Sequence, residues 1–217
     1  MDRFPSIGAS SALYLSSFFL LSLPTNASAL VISEILYDAI SGDAGNAFVE
    51  LFGAPGTDLS GWSLQGVNGA DGSVYKTVAL SGVVPLDGVF VVADPLNGGT
   101  NVPNAELVIS VDFQNGPDSV QLYNGDLLVD AIGYGSFGGL FFAGEGQPAP
   151  DPAAGSSLAR VNPWVDTDDN LADFAVLTAP TPGTVPVSAV PLPASLYLLG
   201  AGLMLLGSRR QARTKPG

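Results

Sequence analysis

No cysteine and no histidine occur in the 217 residues. Their absence removes disulfides, thiolate nucleophiles, the usual zinc ligands and every Ser-His or Cys-His catalytic arrangement. Basic residues are also scarce. Of seven, Arg3 lies at the start and Arg209, Arg210, Arg213 and Lys215 at the end, so the middle holds only Lys76 and Arg160 against nineteen acids, a net charge of −17. Such a surface repels phosphate backbones and anionic lipid, and excludes nucleic acid as a partner. Sustained helical periodicity is missing from the middle as well.

What the middle does contain is short apolar-alternating runs between turn signals. They predict strands at Leu30–Tyr37, Phe48–Phe52, Trp62–Gln65, Val74–Ala79, Val89–Ala93, Leu107–Val111, Ser119–Tyr123, Leu127–Ile132 and Ser157–Arg160. Asn124-Gly125-Asp126 reads as a hairpin connection, and the stretches at Asn68–Gly72 and Pro95–Gly99 as turns. Many short strands without helices predict an all-β sandwich, and about 150 residues suffice to bury a core without disulfides. Trp62, opening a strand after a glycine, is the expected plug between the sheets.

Residues 1–29 read as a secretory signal peptide. Arg3 gives the positive end, Ala12–Leu23 the apolar region and Ala27-Ser28-Ala29 the small-residue cleavage site, so that the mature chain begins at Leu30 and signal peptidase is a processing partner. An uncleaved membrane anchor is the alternative. After a domain over residues 30–178, the proline-rich stretch 179–189 reads as a semi-extended linker. Residues 190–217 then bring Val190-Pro191-Leu192-Pro193-Ala194, an apolar run from Leu196 to Leu206, and Arg209-Arg210. The apolar run suits the inner membrane before processing, with the basic end held on the cytoplasmic side.

Val49-Glu50-Leu51, followed by Asp58-Leu59-Ser60-Gly61-Trp62-Ser63-Leu64, resembles the bacterial, secreted branch of the lamin tail domain family. So do the entry strand Val31–Tyr37, the pair Asp118–Leu122 and Val129–Tyr134, the Gly155–Arg160 strand, and the ending Asp166–Asn170 through Phe174 with Pro180-Thr181-Pro182-Gly183. The pieces stand in the family's order. The resemblance implies an immunoglobulin-like β-sandwich without catalytic residues of its own. The tail is similar to a PEP-CTERM sorting signal of the Val-Pro-Leu-Pro-Ala type. That likeness implies an exosortase as partner and an exported protein at the surface or in the matrix of a Gram-negative bacterium that makes exopolysaccharide or biofilm. A plain C-terminal membrane anchor is the alternative.

Several patterns invite chemistry. Gly133-Tyr134-Gly135-Ser136-Phe137-Gly138 spells a dinucleotide fingerprint, but Phe141–Pro148 offers no helix to receive a pyrophosphate, and no cofactor is expected. The same glycine-rich loop, 133–155, carries Tyr134, Phe137, Phe141 and Phe142, a candidate contact site for extracellular polysaccharide or a partner protein. The competing expectation is that these rings fold back over the sandwich edge. Asp166, Asp168 and Asp169 could offer oxygens to Ca²⁺, yet the EF-hand spacing and distal Glu are missing, which favours a solvated acidic turn. Glu34 and Glu50 could be imagined as the acid pair of a secreted glycoside hydrolase, but strand glutamates in an alternating pattern are expected to face water. The sequence therefore points away from an enzyme.

Overall fold

A computed structural model describes residues 30–185. The signal-peptide residues Ala27 and Ala29, the sorting motif Val190–Ala194 and the tail beyond it lie outside the described residues.

Among the described residues, ten strands and one short helix follow each other in the order β1 (Val31–Leu36), β2 (Phe48–Phe52), β3 (Trp62–Asn68), β4 (Val74–Ala79), β5 (Val89–Ala93), β6 (Ala105–Val108), β7 (Asp118–Asn124), β8 (Leu127–Tyr134), β9 (Ser157–Arg160), α1 (Asn170–Asp173) and β10 (Phe174–Leu177). They form two sheets, ordered β10-β9-β1-β2-β5-β6 and β4-β3-β7-β8. All pairings are antiparallel except β5 with β6. The chain is thus an all-β sandwich. Asn124 pairs with Leu127 across a two-residue turn in which Gly125 has φ 59°, the left-handed backbone that a tight hairpin demands.

Alternation along the strands sends one set of apolar side chains between the sheets. Ile32, Ile35, Leu51, Phe90, Leu64 and Val120 are among those with essentially no exposure. Where β1 and β8 end, the Tyr37 and Tyr134 rings stack at 4.0 Å between centroids, 15° from parallel. Trp62 is not the plug. It is only partly buried and packs against the margin of this core, because the Gly61 turn places it at the strand's outer end, while Leu59 and Leu64 take the fully buried positions.

The six-stranded sheet is apolar on its other face as well. Val31, Leu36, Phe48, Phe52, Val89 and Val91 form a second buried cluster there. This explains why β1, β2 and β5 are buried along their whole length rather than at alternate positions. The expected segment at Leu107–Val111 belongs to the ladder only through Val108. Val111 and Phe113 then fill the core without strand pairing as the chain passes to the other sheet.

Because Tyr134 is enclosed and Trp62 is only partly buried, Tyr134→Ala should lower the unfolding free energy by about 3–5 kcal/mol in a urea titration. Trp62→Ala should cost clearly less. The reverse ranking would return Trp62 to the centre of the core.

Candidate functional site

The glycine-rich loop leaves β8 and folds back over the four-stranded sheet, and this decides the fate of its four rings. Tyr134 belongs to the core at 0% exposure, so it is withdrawn from the candidate contact surface; the strand simply runs two residues further than its apolar pattern indicates. Phe137 is buried at 8% and meets Phe142 edge-on at 5.0 Å. Phe142 lies against Gly133, where a Cβ would collide with the ring, so a glycine is required for the loop to lie flat on β8. Phe141 alone is widely exposed, at 53%, although its N–H donates to Gly69 O at 2.7 Å and its ring rests over Gly72.

Phe141 and Phe142 wall a groove of about 400 Å³ with Val67, Val74 and Leu128. Its polar side chain, Gln121, is already engaged, its Nε2–H donating to Ala143 O at 3.0 Å and its Oε1 accepting from the Tyr123 hydroxyl at 3.1 Å. No ionisable residue lines the groove. It can offer apolar contact and ring stacking, but no group for acid-base chemistry.

Behind the loop, Asn170 does what a pairing strand would do. Its Oδ1 accepts from the N–H groups of Gly133 (2.8 Å) and Glu145 (2.9 Å), and its Nδ2–H donates to Ala131 O (2.7 Å). Asp169 caps α1, accepting from the Leu171 and Gln147 N–H groups. Asp168 has φ 54° and donates its N–H to Asp166. The helix and the capping cluster tie the loop to the β9–α1 connection.

Arg160 occupies the middle of this region at 1% exposure. Its Nη2 donates to both Asp130 oxygens (2.9 and 3.1 Å), its Nη1 to Asp173 (2.9 Å) and Asp166 (3.2 Å), and its Nε to Ile32 O (3.1 Å). The guanidinium also lies 4.7 Å from the Phe174 ring centroid. Asp166 pairs with Arg160 while remaining exposed to water, as the solvated acidic turn predicts for it and for Asp168, and Asp169 accepts from backbone N–H groups. Asp130, Glu145 and Asp166 bring carboxylate oxygens within 4.8 Å of one another and could hold a cation. Arg160 already supplies positive charge to two of them. Glu145 is in none of the ion pairs among the described residues, although the Arg160 charge acts on it from farther off, and its Oε2 is enclosed without a hydrogen-bond partner among them. Burial, with Asp130 and Asp166 beside it, pushes its pKa up to about 8. Burial also raises Asp130, opposed by Arg160 and the Ile32 N–H.

No family model matches the chain, and no curated protein matches it. What the site can do is therefore argued from its geometry. Glu34 and Glu50 correct the expectation of water-facing strand glutamates. They lie directly opposite each other on β1 and β2 at 2% and 1% exposure, on the outer face of the sheet and under residues 181–183. The supposed linker is to that extent part of the domain. A pair so enclosed and committed to backbone donors has no open approach for a glycosidic bond.

Asn170, Arg160 and the docked segment after Thr178 are the residues that sequence reasoning passed over. Arg160 carried a signal: it is one of only two cations in a strongly acidic middle.

Glu145 yields a pH prediction. Its pKa is raised in the fold, so its protonated form favours folding; that contribution is complete below its ordinary range near 4.5 and is lost as pH climbs through about 8. Glu145→Gln, permanently neutral, should lose less melting temperature than the wild type between pH 7 and 9 and match it near pH 5. Superimposable profiles would contradict the shift.

Proposed function

We propose that this is a non-enzymatic, exported protein of the cell surface or extracellular matrix. It carries a lamin tail-like, immunoglobulin-like domain and is sorted by an exosortase system in a Gram-negative, exopolysaccharide-producing bacterium. The observation that carries this is the order of segments at the end of the chain: a β domain, then Val190-Pro191-Leu192-Pro193-Ala194, the apolar run to Leu206, and Arg209-Arg210. The apolar run holds the chain in the inner membrane through its basic cytoplasmic end, which presents the motif on the far side for processing.

The domain's carboxylates support the non-enzymatic part. Glu34, Glu50, Asp130, Asp94 and Asp118 accept backbone or side-chain hydrogen bonds inside the fold, and are spent on structure rather than placed in a cleft. A second function is favoured by the groove beside Phe141, which suits a binding module that stacks on a sugar ring or an apolar side chain of a partner.

Intact mass of the protein from its native host, with surface and released fractions separated, tests the main proposal. A species running from Leu30 to near Pro193 is expected. A species that keeps Arg209 and the rest of the tail would make the protein a membrane-anchored one and remove the exosortase from the account.

A further inference from the structure

A β-bulge in β1 sets up the arrangement. The register passes from Ile32 opposite Leu51 to Glu34 opposite Glu50, so Ser33 is an extra residue and both Ser33 and Glu34 stand beside Glu50. Like charges directly opposite across a strand pair are unfavourable even at a surface, and here both are buried. None of the ion pairs among the described residues involves either glutamate. Their donors are neutral. Ser33 Oγ–H donates to Glu50 Oε1 at 2.7 Å and Ser157 Oγ–H to Glu34 Oε1.

The remaining donors all come from a strap of chain that crosses the outer face of the six-stranded sheet. The Thr181 N–H donates to Glu34 Oε1 at 3.0 Å, the Thr181 hydroxyl to Glu34 Oε2 at 2.9 Å, and the Gly183 N–H to Glu50 Oε2 at 2.8 Å. A turn closed by the Thr184 N–H on Thr181 O shapes the strap, the Asn104 amide holds Pro182 O at 3.1 Å, and Val185 rests on the outer apolar cluster. Its apolar seat is loose. Pro180 and Pro182 line a gap of about 240 Å³ with Leu36, Phe48, Val102 and Pro103. The strap thus depends on the two carboxylates more than on packing.

We propose that residues 180–185 form a proton-controlled latch, seated on the Glu34–Glu50 pair while Glu50 is protonated and released as Glu50 ionises. With Glu50 neutral, one carboxyl oxygen still accepts from Gly183 while the charge repulsion across the strand pair disappears. With Glu50 ionised, its buried charge directly opposite Glu34 is stabilised by water, which reaches it only when the strap lifts. Among the described residues no cation faces the pair: the titratable group facing Glu50 is Glu34, and beyond the Val91 position of β5 the Glu106 carboxylate of β6 accepts the Val91 N–H. Burial, aided by Glu34 and opposed by the hydrogen bonds from Ser33, Gly183 and Thr184, lifts Glu50 to about 7. The sign follows: seating is favoured below that value and lost above it. The operation of the latch does not require the tail to be a sorting signal.

Amide hydrogen exchange of the full chain tests the latch at Thr181 and Gly183, with rates corrected for the intrinsic effect of pH. Protection at these amides should fall by about tenfold or more between pH 5.5 and 8.5, levelling off above about 7, while the Leu51 amide in β2 stays protected. In Glu50→Gln the same amides should change less than about twofold. The wild-type profile decides alone if that variant does not fold. Flat protection in the wild type, or an equal decline in Glu50→Gln, would overturn the proposal.

Discussion

A single buried guanidinium holds together parts of the chain that share no strand ladder. Arg160, at the end of β9, reaches Asp130 on β8 of the opposite sheet, Asp173 in α1 and Asp166 in the connection between β9 and α1. Asp130 extends the bridge by accepting the Ile32 N–H at 2.6 Å. The β1–β8 margin of the sandwich, where the sheets meet without pairing, is closed by this cluster instead of by backbone hydrogen bonds. Removing one member of such a group leaves the others charged and enclosed, which is far more damaging than the net worth of the pairs.

Acidic residues are the fold's working material, and their use divides by partner. Those around Arg160 balance a cation, while Asp94, Asp118 and Asp169 cap backbone N–H groups. Glu34 and Glu50 are in none of the ion pairs among the described residues and accept from Ser33, Ser157 and the strap. Both arrangements hold carboxyls with a raised affinity for protons, Asp130 and Glu145 in the first and Glu50 in the second. Each of these groups contributes stability that falls as pH rises.

Much of the architecture was legible because the strands are short and end in strong turn signals. Phe48–Phe52, Val74–Ala79, Val89–Ala93 and Ser157–Arg160 have the bounds that their apolar pattern predicts. β10 was not, since it follows a four-residue helix with no periodicity of its own and only Phe174 is fully buried. The site was harder to read. Alternation cannot distinguish a face covered by solvent from one covered by a distant strap, so Glu34 and Glu50 read as exposed although each accepts a hydrogen bond from chain more than a hundred residues away. Nor can composition tell a loop ring that reaches outward, such as Phe141, from Tyr134, which continues a strand into the core.

The central claim is that Arg160 and its aspartates act as one unit in closing the sandwich. A double-mutant cycle of Arg160→Met with Asp130→Asn, followed by urea unfolding, addresses it directly. Arg160→Met alone should cost about 3–5 kcal/mol. The double variant should recover part of that loss, giving a coupling of roughly 2–3 kcal/mol. Additive losses from the two substitutions would mean that the cluster is a set of independent contacts and that the sandwich is closed by its apolar core alone.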